Sequence, residues 1–429
     1  MKPLLGVSPL GLRHAPDVAT GLSAKIACSH HFLGGRDAAQ IERDLTAYSP
    51  ALGLIELDYL DAPQRVVARL LGGYERTARY RPGLGCTLEI GDTRTLENIS
   101  VEPVLAENAP WPAGEQVTSL DAELQQVLDL QMKEDARSSY ETRALLVVRG
   151  GEVAGESYAE GSDYYTQHLG WSMAKSVVAI LHGLLEQDGK VSSQDRALFQ
   201  AWSADGRRDI TQQQLLSMTS GLQFDEEYVP GSDSTRMLFA SESAANVALE
   251  FPLAHQPGTF FAYSSGTSNL LAQLYTDRVG GVTAAASYWY ERLLRPLAMA
   301  HTTLEPDPSG VFVGSSFIYA SARDWARLGL LLLNQEEWRG QQLLPAGWVE
   351  RASTPNQAAN DARYGYQLWL NRGGAERRWA ALPRDAYAMQ GNRQQVVMVI
   401  PSLDVVIVRL GWSSDYPMEE RFSEILRHL

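Results

Sequence analysis

The spacing of apolar residues changes along the chain, and each change predicts a different element. Residues 177–185 place apolar side chains on one face of an α-helix, and the segment stops at Asp188 and Gly189, a common C-terminal signal. A second, strongly apolar helix is predicted for residues 321–333, where Ser321 is a suitable N-terminal cap. Shorter helices are predicted over residues 38–48, 121–133, 244–249, 269–275 and 419–429.

Two pairs of apolar segments are short enough to be strands. Residues 144–149 and 152–158 are separated by two glycines, which predicts a β-hairpin. Residues 394–400 and 405–410 form a second pair, joined by a short turn. This order of hairpin, helices, strands and final helix predicts an α+β fold. An antiparallel sheet would be flanked by helices, with a mostly helical second domain.

A cluster of prolines and a glycine just before residue 115 predicts a boundary between two units. Residues 1–115 are predicted to form a loop-rich N-terminal extension whose role the sequence does not indicate. Residues 116–429 are predicted to form the main domain, with a helical subdomain over about residues 205–310.

Charge and hydropathy exclude several classes of protein. The 429 residues carry a net charge of −14, which argues against nucleic acid and anionic membranes as partners. No apolar run reaches the length of a membrane span, and the N-terminus does not resemble a signal peptide. We therefore expect a cytoplasmic protein, or a periplasmic or exported one if a further N-terminal segment precedes this sequence. The oligomeric state is left open.

The chain has two cysteines, Cys28 and Cys86. They are too few for a disulfide framework, but we predict that they lie close together and can form one bridge. Cys28 is followed closely by two histidines, yet the spacing fits no standard zinc motif. We therefore expect a structural role for these residues and no bound metal.

The strongest chemical signal is the pair Ser172 and Lys175. Three residues of separation put both side chains on one face of a helix, one turn apart, where the amine can take the hydroxyl proton. Ser172 would also lie at the helix start, where free backbone N–H groups favour negative charge. The alternative is a capping serine and a solvated lysine. The pair alone does not decide between these interpretations, so the catalytic one depends on the other motifs in the sequence.

Such a pair also needs a proton shuttle and an oxyanion hole. Tyr263, which follows a Pro-Gly turn, is a candidate for the shuttle. Residues 391–395 precede an edge-like strand whose amides could face Ser172.

Several motifs together resemble one superfamily over roughly residues 118–429. It is the serine β-lactamase and penicillin-binding-protein superfamily, in its class C-like branch. Within that branch the sequence looks closest to the 6-aminohexanoate-dimer (nylon-oligomer) hydrolases and related esterases. The motifs that carry the resemblance are Ser172-x-x-Lys175, residues 218–222, 224–230, 257–265 and 321–329, and the strand at 406–412.

The resemblance implies a role for each matching residue. Ser172 would be the acylated nucleophile, Lys175 its general base, and Tyr263 the group that passes the proton to the leaving group. The backbone N–H groups of Ser172 and Asn392 would form the oxyanion hole. Tyr228 matches the tyrosine that contacts the scissile amide in the nylon-oligomer hydrolases, with packing in the core as the alternative.

The sequence departs from the wider superfamily at two places. Ser265 stands where the Tyr-x-Asn element has its asparagine, so it becomes a candidate substrate-binding residue. Residues 392–394 replace the Lys-Thr-Gly or His-x-Gly triplet that helps to bind the substrate carboxylate. Arg393 could supply a substitute cation or could equally point to solvent. The missing triplet argues against β-lactamase or cell-wall peptidase activity.

The sequence therefore predicts a serine hydrolase that cleaves small esters or linear amides through an acyl-enzyme on Ser172. Its partner would be a small-molecule substrate, and we expect neither a metal nor a cofactor. Two alternatives stay open. One is a β-lactamase or D-Ala-D-Ala peptidase that uses the same site. The other is a non-catalytic, penicillin-binding-like binding or sensor protein.

Overall fold

The computed structural model describes residues 13–429. The helices are α1 (Ala15–Phe32), α2 (Ala38–Tyr48), α3 (Ala122–Arg137), α4 (Met173–Gln187), α5 (Gln212–Leu216), α6 (Asp233–Phe239), α7 (Ala244–Leu249), α8 (Ser265–Val279), α9 (Val282–Trp289), α10 (Ala322–Leu333), α11 (Trp348–Ala352) and α12 (Met418–Leu426). None of these helices combines the length and the apolar character that crossing a membrane requires.

The strands fall into two larger and two smaller antiparallel sheets. In chain order they are β1 (Ile55–Asp61), β2 (Gln64–Leu70), β3 (Tyr74–Arg81), β4 (Gly85–Leu88), β5 (Thr142–Arg149), β6 (Glu152–Tyr158), β7 (His168–Leu169), β8 (Thr302–Leu304), β9 (Ile318–Ala320), β10 (Glu337–Trp338), β11 (Gln341–Gln342), β12 (Trp369–Leu370), β13 (Tyr387–Gly391), β14 (Gln395–Ile400) and β15 (Val405–Gly411).

The main sheet has six strands in the order β12-β13-β14-β15-β5-β6. Strands β14 and β15 are buried along their whole length, because helices cover both faces of the sheet. Helices α4 and α10 pack on one face, and α3 and α12 pack on the other. Gly329 lets α10 approach closely, since a Cβ there would lie 2.6 Å from Cγ1 of Val406. This arrangement confirms the predicted α+β fold.

Helices α5 to α9 lie between β7 and β8 in the chain and form the mostly helical part of the molecule. Helix α8 packs on α4, and a small sheet in the order β7-β9-β8 lies beside them. Strand β7 ends three residues before Ser172. Helices α4 and α8 and the short strand β7 therefore surround the start of α4, where Ser172 lies.

The N-terminal extension is more ordered than the loop-rich unit that the sequence predicts, so this expectation was wrong. It contains a four-stranded antiparallel sheet in the order β1-β2-β3-β4, with α1 packed against it. The sequence pattern does not predict helix α1, because many of the buried residues of this helix are polar. For example, Lys25 pairs with Glu305, and Ser29 donates a hydrogen bond to the same carboxylate, so polar positions mask the apolar pattern.

The disulfide prediction is confirmed. Cys28 of α1 and Cys86 of β4 are bonded, with their Cα atoms 6.0 Å apart. The extension also shares a hydrophobic cluster with the following part of the chain, to which Trp171, Phe317 and Trp412 contribute. The division at residue 115 stays a prediction, because the two parts pack against each other through this common core.

Candidate active site

Ser172 lies at the first turn of α4, immediately before the helix begins at Met173. Two features of the preceding residues fix its position. The N–H of Gly170 donates to the carbonyl of Ile318, 2.8 Å away, and a Cβ at Gly170 would collide with the Trp325 ring. Trp171 has a positive φ of 48° and is buried, which turns the chain sharply into the helix. Ser172 is therefore presented at a helix N-terminus, as the sequence predicts.

The Lys175 side chain is almost completely buried, and its amine has three oxygen neighbours. Its Nζ lies 3.0 Å from Oγ of Ser172, 2.9 Å from Oγ of Ser265 and 3.1 Å from the carbonyl oxygen of Ser315. A neutral amine has two N–H bonds and one lone pair. The Ser265 and Ser315 oxygens can accept its two N–H bonds, which leaves the lone pair for the Ser172 hydroxyl.

The electrostatic surroundings of Lys175 favour the neutral amine more than water does. Burial lowers the pKa of Lys175 to about 8, while the nearby Glu226 carboxylate acts in the opposite direction. An amine with this pKa is only about one tenth neutral at pH 7, and a larger fraction is available above that pH. The lowered pKa therefore makes Lys175 a better proton acceptor near neutral pH than an ordinary lysine.

Ser265 lies behind Lys175 and is fully buried. Besides facing the lysine amine, its hydroxyl donates to Oε1 of Glu226 at 2.6 Å, and its backbone N–H donates to Oε2 at the same distance. Both functions of the hydroxyl are thus occupied by protein groups. The contacts of Ser265 in the structure are thus with Lys175 and Glu226, and its role in binding substrate stays a prediction.

Glu226 is a site residue that sequence reasoning missed. It lies in the polar segment just before Tyr228, and its acidic neighbours made the segment resemble an exposed loop. In the structure, burial raises the pKa of Glu226, and the charge of Lys175 acts against this rise. The only sequence signal was its position two residues before a predicted site tyrosine.

Tyr263 lies beside the serine and lysine, as the sequence predicts. Nζ of Lys175 is 4.9 Å from the centre of the Tyr263 ring. Burial raises the pKa of Tyr263, the Glu226 carboxylate adds to the rise, and the adjacent Ser172 hydroxyl acts against it. Trp369 stacks on the Tyr263 ring, with the ring centres 5.1 Å apart and the planes 23° from parallel. The phenol is therefore held in its protonated form close to Ser172.

Tyr228 is half-buried among aromatic residues at the same site. Its ring meets Trp171 edge-on at 6.5 Å. Burial raises the pKa of Tyr228 far above its ordinary value, and Glu226, Tyr48 and Tyr263 add to that effect. The structure thus brings Tyr228 to the predicted site, where it also takes part in packing.

Asn392 follows the last residue of β13, and this strand end touches the segment that carries Ser172. A Cβ at Gly391 would lie only 2.1 Å from the carbonyl oxygen of Gly170. The Asn392 side chain turns away from this contact, with its Nδ2 3.4 Å from the Tyr48 hydroxyl and its Oδ1 accepting from the N–H of Arg393 at 2.8 Å. The predicted partner of Ser172 in the oxyanion hole is therefore beside the start of α4.

The Arg393 side chain packs against the N-terminal extension and does not point to solvent. Its side chain donates to the carbonyl of Ala47 at 3.1 Å, and the guanidinium lies 4.7 Å from the centre of the Tyr48 ring. Both partners belong to the N-terminal extension, which leaves Arg393 only 9% exposed. These contacts hold Arg393 against the extension, and its role in binding substrate stays a prediction.

Tyr48 is the second residue that sequence reasoning missed. It ends α2, and its ring stacks on Trp171 at 5.9 Å, with 25° between the two planes. It therefore reaches the residue next to Ser172 from the N-terminal extension. No motif marks this tyrosine, because its position depends on how the extension packs on the rest of the chain.

A protein-family model named Beta-lactamase matches residues 125–427. The match spans most of the chain and includes the residues gathered around Ser172. The chain therefore belongs to the Beta-lactamase family, and it is a hydrolase of that family.

Individual relatives agree with this assignment. A 6-aminohexanoate-dimer hydrolase from Paenarthrobacter ureafaciens is 27% identical over 321 residues, which cover 70% of this chain and 80% of the relative. A Bacillus anthracis protein, provisionally described as a 6-aminohexanoate-dimer hydrolase, has a similar structure. Its TM-score is 0.60 at 20% identity, with 78% of this chain and 91% of that chain covered. A class C β-lactamase gives a TM-score of 0.54 at 13% identity, with 73% and 99% covered. At these low sequence identities, the similar structures show a shared fold and nothing more specific.

Proposed function

We propose that this protein is a serine hydrolase that cleaves small esters and linear amides through an acyl-enzyme on Ser172. The observation that carries the proposal is the arrangement around the Lys175 amine. The oxygens of Ser265 and Ser315 can accept its two N–H bonds, and the Ser172 hydroxyl, 3.0 Å away, is then left for the lone pair. This is the geometry of a general base aimed at a nucleophile.

In the acylation step, the neutral Lys175 amine takes the proton of Ser172 while Oγ attacks the substrate carbonyl carbon. The carbonyl oxygen gains the negative charge, and the backbone N–H groups of Ser172 and Asn392 stabilise it. The bond to the leaving nitrogen or oxygen then breaks. Tyr263 gives that atom its hydroxyl proton and takes in exchange the proton held by Lys175, which restores the neutral amine.

Deacylation reverses this sequence with water in place of the leaving group. Water attacks the acyl carbon, its proton passes to the Tyr263 and Lys175 pair, and the Ser172 oxygen leaves and regains a proton. Both steps need Tyr263 as an acid at some point. Burial favours this because it keeps the phenol protonated at neutral pH.

Ser265 and Glu226 would act as positioning residues. The Ser265 hydroxyl accepts from Lys175 and donates to Glu226, so the lysine amine has a fixed orientation toward Ser172. Glu226 also stabilises the ammonium that forms when Lys175 takes the serine proton. A buried proton acceptor without such a partner would be a weaker base.

Three observations favour small esters and linear amides as substrates. The curated relative from Paenarthrobacter ureafaciens is named for a linear amide dimer. Residues 392–394 lack the triplet that anchors the carboxylate of β-lactams in relatives, and Arg393 is held by the N-terminal extension. Tyr228 offers a hydroxyl near Tyr263, where it would contact the nitrogen of a scissile amide.

A fluorophosphonate probe together with a substrate panel tests the proposal. The native protein should be labelled, and it should cleave p-nitrophenyl acetate and butyrate readily and a linear amide more slowly. Ser172→Ala should lose labelling and turnover, while Ser203→Ala, at an exposed serine, should keep both. Absence of labelling in the native protein would favour the non-catalytic alternative. Rapid nitrocefin hydrolysis with negligible esterase activity would favour the β-lactamase alternative.

A further inference from the structure

A small enclosed cavity lies between the N-terminal extension and the rest of the chain, outside the proposed active site. The extension contributes His30, near the end of α1, and Arg36, in the loop that follows this helix. On the other side, the cavity is lined by Arg143 of β5, His168 of β7 and Trp412. The cavity has room for one group about the size of a water molecule. Two arginines and two histidines therefore line a space that holds a single small ligand.

The charges around this cavity do not balance. Arg143 is paired with Asp44, whose Oδ1 lies 2.5 Å from its Nη2. Arg36 instead donates to two uncharged groups, the carbonyl oxygen of Gly161 and the hydroxyl of Ser162, each at 2.7 Å. In the part of the chain that the structure describes, no carboxylate lies within ion-pairing distance of Arg36, which is only 9% exposed. One positive charge at this cavity is thus buried without a counter-ion, which is costly in a folded protein.

Two aspartates near Arg36 do not supply that counter-ion. Asp37 is exposed and caps the first turn of α2, and Asp163 accepts from the N–H and the hydroxyl of Thr166 at 2.9 and 2.6 Å. Their charges act on Arg36 only from farther away. Burial and the neighbouring charge of Arg143 still lower the pKa of Arg36 to about 10, so the surroundings of its guanidinium remain unfavourable for a cation.

The wall of the cavity also carries a buried nitrogen that lacks a hydrogen bond. Nε2 of His168 contacts no acceptor among residues 13–429, and this residue is only 6% exposed. Burial and the charges of Arg36 and Arg143 hold the pKa of His168 far below its ordinary value, so the ring is neutral and has one N–H to donate. Buried donors are normally satisfied. The ligand that fits this cavity is therefore a hydrogen-bond acceptor.

A water molecule would accept from His168 but would leave the positive charge unbalanced. A halide ion accepts several N–H bonds, is only slightly larger than water, and carries the missing negative charge. We propose that this cavity binds one chloride ion, which accepts from His168 and Arg143 and balances the charge of Arg36. Because the cavity lies between the extension and the rest of the chain, the ion would stabilise their contact. The site is separate from Ser172, and the inference does not depend on the function proposed above.

Thermal unfolding in chloride and in gluconate at equal ionic strength tests for a halide site. Gluconate is too large for the cavity and serves as the reference anion. The unfolding midpoint of the native protein, taken relative to gluconate, should rise by about 1–2 °C for each tenfold increase of chloride above its Kd, because only the folded protein has the site. The quantity to compare between proteins is this chloride-dependent shift, which separates halide binding from the general effect of salt.

Variants on both sides of the cavity should lose the shift. Arg36→Gln removes the unbalanced charge, and His168→Leu removes the free N–H. The matched controls are Arg43→Gln and His428→Leu, which change the same residue types at exposed positions and should keep the native shift. A second measurement needs no variant: crystals of the native protein soaked in bromide should show one anomalous peak inside the cavity. If a variant does not fold, the position of this bromide decides.

Three results would overturn the inference. The first is a native protein whose unfolding midpoint is the same in chloride and gluconate, or a chloride shift that persists unchanged in folded Arg36→Gln and His168→Leu. The second is bromide found at the protein surface with only water in the cavity, which would mean an adventitious ion only. The third is stabilisation by sulfate or phosphate that depends on Arg36 and His168 and has no counterpart in chloride, because the ligand would then be an oxyanion. None of these results affects the serine mechanism, which labelling at Ser172 tests separately.

Discussion

Lys175 and Glu226 are joined through a single hydroxyl, that of Ser265, which lies 2.9 Å from the lysine amine and 2.6 Å from the carboxylate. The lysine and the glutamate therefore affect each other without direct contact. Burial lowers the pKa of Lys175 to about 8, and it would be lower still without the Glu226 charge. This connection determines the pH range in which the proposed base is active.

Glu226→Gln should shift the acidic limb of the pH profile to lower pH. The glutamate charge stabilises the Lys175 ammonium, so its removal lowers the lysine pKa and yields the neutral amine at lower pH. At the same time the maximal rate should fall, because the ammonium formed during acylation loses a stabilising charge. The measurement is kcat/KM for p-nitrophenyl butyrate between pH 5 and 10.

Glu227→Gln is the matched control, since it removes the same charge from an adjacent exposed residue. Its acidic limb should coincide with that of the native protein. A limb that stays in place or moves to higher pH in Glu226→Gln would contradict the assigned coupling.

The activity of the native enzyme should rise with pH and reach half of its maximum near pH 8. Lys175 must be neutral to accept a proton, and its lowered pKa of about 8 places the midpoint of the rise there. Lys175→Ala should lose about 10²–10⁴-fold in acylation rate, the usual contribution of proton transfer. The residual activity of Lys175→Ala should no longer show this rise with pH. Lys190→Ala, at an exposed lysine, should keep both rate and profile.

The sequence predicted the elements whose apolar pattern is uninterrupted. The hairpin of β5 and β6 and the helix Ala38–Tyr48 were found at or within two residues of their ends. Helix α1 was missed because Lys25 and Ser29 are buried against Glu305, a residue far away in the chain. Local periodicity cannot reveal a polar residue whose partner is supplied by tertiary structure.

The same limit applies to the site. Ser172, Lys175 and Tyr263 carry a recognisable spacing and context, and the structure brings them together. No sequence motif marks Glu226 or Tyr48, because the role of each depends on its contacts in the folded chain. The contacts of Arg393 with Tyr48 and Ala47 were likewise not predictable, because both partners lie more than 300 residues away in the chain.

Gly391→Ala should abolish most of the activity. A methyl group there would lie 2.1 Å from the Gly170 carbonyl oxygen, so the end of β13 must move away from the start of α4. Asn392 would move with it, and loss of one oxyanion donor typically costs about 10²–10³-fold in kcat. Gly73→Ala is the control, because no atom lies within 4 Å of its added Cβ. Unchanged turnover in a folded Gly391→Ala protein would remove Asn392 from the proposed oxyanion hole.

Reduction of the Cys28–Cys86 bond should destabilise the protein. The bridge closes a loop of 58 residues, and bonds of this kind typically contribute about 2–4 kcal/mol to the free energy of unfolding. Chemical unfolding of the native protein and of Cys28→Ser/Cys86→Ser gives this difference directly. The double variant should show no further change on addition of dithiothreitol. Equal midpoints for the two proteins would show that the bond does not stabilise the fold.

Tyr48→Ala should lower both stability and activity, although Tyr48 lies in the N-terminal extension. Its ring stacks on Trp171 at 5.9 Å and beneath the Arg393 guanidinium at 4.7 Å, so it supports the residues on either side of the proposed oxyanion hole. Losing a half-buried aromatic ring should cost about 1–3 kcal/mol, and kcat should fall because Ser172 and Asn392 lose their fixed spacing.

Two further variants separate the role of this ring from general damage to the extension. Tyr48→Phe keeps the ring and removes only the hydroxyl, which is 3.4 Å from Asn392, so it should retain most of the activity. Tyr74→Ala removes an exposed tyrosine of the same extension and should change neither kcat nor stability. If Tyr48→Ala lowered the unfolding midpoint but left kcat at the native value, the extension would stabilise the fold without shaping the site. A fall in kcat at temperatures where the variant is fully folded would show that the extension forms one wall of the catalytic centre.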